Sequence, residues 1–159
     1  MKPTITLSPF PKEVESWWWN HAVERWPDMS EEKLLNMLRQ EIVEQSDRFN
    51  KDRSFDPSAY GTRDLSILAY GNFYFSRTWM AARFALAELL SVCNWTPPAK
   101  GPIRILDLGS GSGASGLACL NTIREHRINK PLELHAFDYS SKSLAYLKDL
   151  HRSCTDLWP

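Results

Sequence analysis

Cysteine is scarce in this chain. Cys93, Cys119 and Cys154 are odd in number and too scattered for a disulfide framework or a metal cluster. Cys119 falls in a helix that follows a glycine-rich turn and Cys93 in another apolar helix, so both read as buried free thiols in a reducing compartment. Neither sign of charge is in excess: 19 basic residues face 19 acidic ones, which argues against bulk electrostatic capture of nucleic acid and leaves only a local patch. No run approaches the roughly 18 apolar residues of a membrane span. Met1 to Pro11 carries neither the apolar centre of a secretory leader nor an arginine-rich amphipathic pattern, so no membrane partner is expected and the cytoplasm is the expected location. With 43% hydrophobic and 24% charged residues the chain is globular, and 159 residues suffice for one domain or for a small domain and part of another.

What is present is concentrated in Ile103-Arg104-Ile105-Leu106-Asp107-Leu108-Gly109-Ser110-Gly111-Ser112-Gly113-Ala114-Ser115-Gly116. An apolar run reaches an aspartate, breaks into glycines at every second position and continues into Leu117-Ala118-Cys119-Leu120. That order reads as strand, tight turn and helix N-terminus. The glycines allow backbone angles closed to other residues and leave no Cβ between the backbone and a ligand. Unpaired amides at the helix start suit a carboxylate, a phosphate or ribose oxygens. A phosphate loop of the Walker type is excluded, since no Gly-Lys-Ser/Thr follows the glycines.

Gly111 to Gly116 satisfies G-x-G-x-x-G, the dinucleotide fingerprint. Asp107 to Gly113 satisfies the longer acidic-x-G-x-G-x-G pattern and resembles the first motif of class I S-adenosylmethionine-dependent methyltransferases. A carboxylate at Asp107 would repel a pyrophosphate and suits the ammonium of a methionyl group, directly or through water. A second anchor closes Leu132-Glu133-Leu134-His135-Ala136-Phe137-Asp138, whose alternation reads as a strand. Asp138 stands where both families place an acid for ribose hydroxyls, and a carboxylate there accepts from a vicinal diol. It follows Gly113 by 25 residues, more than the roughly 20 of the dinucleotide fingerprint. It also disfavours the 2′-phosphate of NADP. The cofactor-binding set is therefore Asp107, Gly109, Ser110, Gly111, Gly113, Asp138 and Tyr139, with S-adenosyl-L-methionine as cofactor. The competing readings are plainer: Asp107 as a carboxylate capping its own turn, and Asp138 as a helix N-cap.

Along the chain, Pro11 to Trp26 reads as a helix with Val14, Trp18, Ala22 and Trp26 on one face and Trp17 and Trp19 beside it. Domain core is preferred to a stacking platform for bases, because the nearby charge is acidic. A second helix follows Ser30, an N-cap, with Leu34, Leu35, Leu38 and Ile42 as its stripe and Val43 alongside. Asp47 to Thr62 reads as a loop, Asp64 to Tyr70 as a short helix and Gly71-Asn72 as a turn. Phe73 to Cys93 or Asn94 reads as a long helix burying Trp79, Leu86, Leu90 and Cys93. The prolines and glycine of residues 94–102 then interrupt the helical pattern. The expected domains are a helical one over 1–95, a linker over 96–102, and from 103 to 159 the start of a Rossmann-like cofactor-binding domain. Its second helix runs from about Ser140 to His151 on Leu144, Leu147 and Leu150, with Tyr146 alongside.

The fold class is thus α/β: helices, then the first βαβα portion of a Rossmann-like sheet. Two parallel strands leave an edge or a face uncovered. The methyltransferase resemblance implies about seven strands, with the adenine contact and acceptor pocket after the third to fifth. The chain is accordingly expected to be the N-terminal part of a longer enzyme whose catalytic domain continues beyond Pro159. The alternative is that the helical part completes the core.

Tyr70-Gly71-Asn72-Phe73-Tyr74-Phe75-Ser76-Arg77, Ala82-Arg83-Phe84 and the Asp107 motif together resemble proteins related to the mitochondrial small-ribosomal-subunit methyltransferase. That resemblance implies ribosomal RNA or the small ribosomal subunit as partner and a role in ribosome assembly. Many relatives carry a later cysteine cluster, which these residues lack.

No base that activates a nucleophile is identified. His126 and His135 read as surface or core histidines, and Arg124, Arg127 and Lys130 as a solvated face more readily than a phosphate site. Arg77 and Arg83 are weaker candidates for lining the cofactor cleft. Two readings compete with the methyltransferase: an NAD-type oxidoreductase portion, and a non-catalytic assembly protein that keeps the fold.

Overall fold

Pro11 takes an extended conformation and opens helix α1 (Lys12–Arg25), with Glu13 and Glu15 at the positive end of the helix dipole. These features belong to a computed structural model, which describes residues 6–48, 50, 61–93 and 95–158. Val14, Trp17, Trp18 and Ala22 are the buried residues of α1. Trp18 lies between Phe75, with ring centroids 5.3 Å apart, and Tyr146, stacked at 5.8 Å. These indoles are core, as expected, and present no face to a base.

Ser30 caps α2 (Glu31–Asp47), its hydroxyl accepting from the Lys33 amide. Leu34 and Leu38 are buried as read, but Val43 is exposed and the buried stripe continues instead through Glu41 and Gln45. Burial of the Glu41 carboxylate is sustained because it accepts from Ser66 Oγ at 2.6 Å, Arg63 at 2.9 Å and Gln45 Nε2 at 3.1 Å. This cluster ties α2 to the start of α3. Most of the loop read after Asp47 lies outside the described residues.

The turn expected at Gly71-Asn72 is not one. Helix α3 (Asp64–Phe73) runs through both residues, and the chain bends at Tyr74 before α4 (Phe75–Ser91). Gly71 is there for contact: a Cβ would stand 2.1 Å from Cε3 of Trp18. Asn72 supports the helix, donating to the carbonyls of Leu68 at 2.9 Å and Trp18 at 3.2 Å. The face of α4 also differs from expectation. Phe75, Trp79, Arg83 and Ala87 are buried, Leu86 and Leu90 are half-buried, and Cys93 is exposed beyond the helix end. Arg83 can join the buried ridge because its guanidinium is paired: it forms an ion pair with Glu125 and donates to the Ser8 carbonyl at 3.0 Å.

Strand β1 (Ile103–Leu108), helix α5 (Ala114–Glu125), strand β2 (Leu132–Phe137) and helix α6 (Ser141–Ser153) follow, ending in a 3₁₀ turn at Thr155–Leu157. The strands pair in parallel, from Ile103 opposite Leu132 to Leu108 opposite Phe137. The chain is thus α/β with a two-stranded parallel sheet, compatible with part of a Rossmann-like fold. No helix among the described residues is long and apolar enough to cross a membrane.

One core joins both sides of residues 96–102: Val14, Trp18, Leu68, Phe75 and Trp79 cluster with Ala114, Leu117, Leu150 and Trp158. On the sheet, Ile105 and Leu134 pack against that cluster. The opposite face is open, with Leu106, Leu108 and Phe137 exposed by 63%, 72% and 57%. A parallel sheet ordinarily has both faces covered.

Asp64 fixes how the helices meet. From the first turn of α3 it accepts from Arg25 of α1 and Lys142 of α6, both at 3.0 Å. Burial raises its carboxyl, but Lys142 and Arg25 outweigh that and hold it below the ordinary 3.8. A depressed carboxylate stabilises the fold above its unfolded pKa, and the contribution is lost as pH falls through the lower folded value. Asp64→Asn is therefore expected to cost about 1 kcal/mol at neutral pH. The difference from wild type should close as pH falls through the folded value, below the ordinary carboxylate range. Thermal melts across that range check it; a pH-independent deficit would refute the ion-pair account.

Candidate functional site

The site is built where β1 and β2 both end. Beyond Leu108 the backbone turns through Gly109 and Gly111 at φ of +70° and +52°, values L side chains rarely adopt. The amides of Gly109 and Ser110 donate to the Phe137 carbonyl at 2.8 and 3.0 Å, and that of Gly113 to the Ser110 carbonyl at 2.8 Å. The turn is thereby fastened to the end of β2 before α5 begins. A Cβ at Gly109 or Gly111 would meet nothing within 4 Å, so this flank is open.

Both predicted acids converge on the turn. Asp107 Oδ2 accepts from the Gly116 amide at 2.9 Å, within the first turn of α5. Asp138 Oδ2 accepts from the Gly111 amide and Oδ1 from the Ser140 amide, each at 2.8 Å. Among the described residues no lysine, arginine or histidine pairs with either carboxylate. Asp107 is raised from its ordinary value, chiefly by burial and further by Asp138, against the lowering effect of the Gly116 amide. Charge at the site is uncompensated and negative.

The capping reading of Asp107 is thus realised and coexists with convergence on one place, whereas Asp138 is not the N-cap of α6: Ser140 is, and Asp138 ties the glycine turn to the residue before that helix. The bonds also change what the helix N-terminus can do. The Gly111 amide in the turn, where a pyrophosphate would lie, is taken by Asp138, and the Gly116 amide within α5 by Asp107.

Gly113 and Gly116 do not face the open flank. A Cβ at Gly113 would stand 2.5 Å from Leu147 Cδ1, so the ligand-facing role expected of Gly113 is replaced by packing against α6. A Cβ at Gly116 would stand 2.9 Å from Asp107 Oδ2. Its absence lets the carboxylate reach the helix, and the third glycine of the fingerprint was the signal for it. Ser110 is buried and its hydroxyl has no partner. Tyr139 is half-exposed beside Gly61, its phenol pushed up by burial and by Asp138.

The inner side of the turn is closed by the helical part of the chain. Gly61, Ser66 and Tyr70 meet Gly111, Ser112 and Ser143 around a hollow of about 20 Å³. That is room for about one water. Ser112, 2% exposed, lines it with a hydroxyl that has no protein partner. The Gly61 carbonyl accepts from Ser140 Oγ, and Ser140 Oγ in turn caps α6 at the Ser143 amide, 3.0 Å away. Sequence patterning missed Tyr70 and Gly61, whose roles depend on partners far along the chain.

Tested against S-adenosylmethionine, these residues fit its polar half: two open glycine positions and two carboxylates without a counter-cation.

Several candidates lie elsewhere. Arg83 is buried against Glu125 and Ser8, not in the cleft, and Arg77 lies over the Tyr74 ring at 5.5 Å. Arg124 donates to the Trp158 carbonyl and Lys130 to that of Ala99, each at 2.9 Å, so two of the three basic residues bind backbone. His126 bonds the Thr122 carbonyl, and His135 stands exposed near Glu133 on the open sheet face. Cys119 is half-buried, its thiol pushed up to about 11 by burial and then by Asp107, which leaves it protonated. No family model, curated protein or solved structure matches the chain.

Proposed function

We propose that this chain is the cofactor-binding portion of an S-adenosylmethionine-dependent methyltransferase of the class I type. The reading rests on one observation above the others: carboxylates from the ends of two adjacent parallel strands close on one glycine turn, and no described cation neutralises them. A ligand that complements this place carries positive charge and hydroxyls, which describes a methionyl ammonium, a sulfonium and a ribose. The same bonds weigh against a dinucleotide, since they add negative charge where a pyrophosphate would sit.

When bound, S-adenosylmethionine supplies a methyl group on a good leaving group, and the protein's share is position and exclusion of water. Asp107 balances the ammonium. Asp138 holds the ribose diol with the lone pairs its backbone bonds leave over. Gly109 and Gly111 let the cofactor lie against the backbone, and α3 closes the far side.

Isothermal calorimetry with S-adenosylhomocysteine and with NAD tests the reading. Micromolar binding of the first with none of the second is expected; micromolar binding of NAD alone overturns it. A second reading, a ribosome-assembly protein that keeps the turn without turnover, draws on the small size of the inner hollow. Incubation with small-subunit ribosomal RNA and methyl-labelled cofactor separates the two. Label in the RNA supports the enzyme, and tight binding without label supports the assembly protein.

A further inference from the structure

Helix α4 has two faces. Phe75, Trp79, Arg83 and Ala87 form its buried ridge, and the opposite side carries Arg77, Ala81, Phe84 and Glu88, all exposed. Steps of four, three and four residues keep these side chains on one seam over about three turns, the spacing of a helix that packs along another. Phe84 is 51% exposed there, and Val92, 47% exposed, extends the apolar surface past the helix end. Both charges of the seam stand against the helix dipole. Arg77 is in the first turn, where an acid is favoured, and Glu88 in the last, where a base is favoured. Among the described residues neither has an ion-pair partner, and 11 residues apart on one helix they do not reach each other. Charges kept at a local cost point to partners outside the chain.

The pattern complements itself when reversed. A two-fold axis crossing α4 between Ala82 and Arg83 sets Arg77 opposite Glu88 of a second copy and Phe84 opposite its Ala81, each contact occurring twice. A parallel pairing would instead set Arg77 against Arg77 and Glu88 against Glu88. We propose that this face of α4 is the docking surface for a second copy of the chain, the two helices lying antiparallel in a symmetric dimer. A ring packed against alanine lets the helices approach closely, and the ion pairs at both ends fix their direction. One helix pair is small beside an ordinary interface, so association in the range of about tens of micromolar is expected.

The test is sedimentation velocity of the full chain over about 5 to 500 µM, the range that brackets a weak interface. It compares wild type, Arg77→Glu, Glu88→Arg, the two together, and Phe137→Ser on the open sheet face. Wild type is expected to pass from monomer to dimer across the range. Each single reversal sets like charges opposite one another at both ends and should weaken association by at least about tenfold. The double reversal restores opposite charges and should return to within about threefold of wild type. Phe137→Ser should change nothing. Both reversals give the exposed helix ends the charge that the dipole favours, so the single variants should melt no lower than wild type, and lost association is then not a lost helix. If one of them nevertheless unfolds, the other reads the same pairing. A chain that stays monomeric throughout overturns the proposal, as does a dimer indifferent to both single reversals or not restored by the double one. A dimer abolished by Phe137→Ser would place self-association on the sheet and overturn it too.

Discussion

Gly71→Ala is expected to destabilise the chain by about 3 kcal/mol, lowering its melting temperature by roughly 10 °C. Two effects oppose each other at this position. Gly71 lies inside a helix, where alanine is preferred to glycine by about 1 kcal/mol, so propensity alone predicts a gain. The new methyl, however, would sit 2.1 Å from Cε3 and 2.3 Å from Cδ2 of Trp18. That indole cannot step aside: it is buried between Phe75, Tyr146 and Trp17, with centroids 5.3, 5.8 and 4.8 Å away. Overpacking against a rigid ring costs about 1–3 kcal/mol and occasionally more, and backbone would have to move to relieve it. Packing therefore wins. Urea denaturation of the variant measures the outcome, and a midpoint equal to or above wild type would mean that α1 and α3 do not meet through this contact.

The same glycine shows where sequence patterning stops. Gly71-Asn72 looks like a turn because glycine and asparagine are the usual turn residues, and only the partner at Trp18 reveals a helix–helix contact. Arg83 and Glu41 look like surface residues until Glu125 and the Ser66 and Arg63 pair are brought to them. Leu86, Leu90 and Cys93 share a face by period, yet the helix ends at Ser91 and the ridge that packs is the one beginning at Phe75. By contrast β1, the turn, α5, β2 and α6 were readable almost residue by residue. There the information is local: alternation over six residues, glycines where φ is positive, and serine before a helix. The acids at the strand ends were readable for the same reason. What was not readable is that α3 closes the site, since that depends on long-range contacts that no window around the motif contains.

Asp107→Asn is expected to leave the unliganded fold as stable as wild type or more so at neutral pH, while weakening S-adenosylhomocysteine by about tenfold to a hundredfold. The sign for stability follows from its surroundings. As a helix cap the carboxylate gains from the Gly116 amide and from the dipole of α5, worth about 0.3–1 kcal/mol near a helix N-terminus. Burial and the neighbouring Asp138 oppose ionisation, and they prevail, because the carboxyl is raised from its ordinary 3.8. A carboxyl raised on folding stabilises the native state below its unfolded pKa, and that contribution is lost as pH rises through the folded value. At neutral pH the charge is thus a net cost that asparagine removes, while the asparagine carbonyl still accepts from the Gly116 amide. Any stability gain should fade as pH falls and the wild-type carboxyl takes up a proton. Under the proposed function the ligand experiences the opposite effect, since a neutral side chain would no longer balance its ammonium. Melts of the free chain alongside calorimetric titrations separate the two consequences. A variant that melts several degrees lower yet binds S-adenosylhomocysteine with wild-type affinity would reduce Asp107 to a cap on α5. A variant that keeps its stability and loses the ligand would identify a charge retained at the fold's expense, for the sake of what binds beside it.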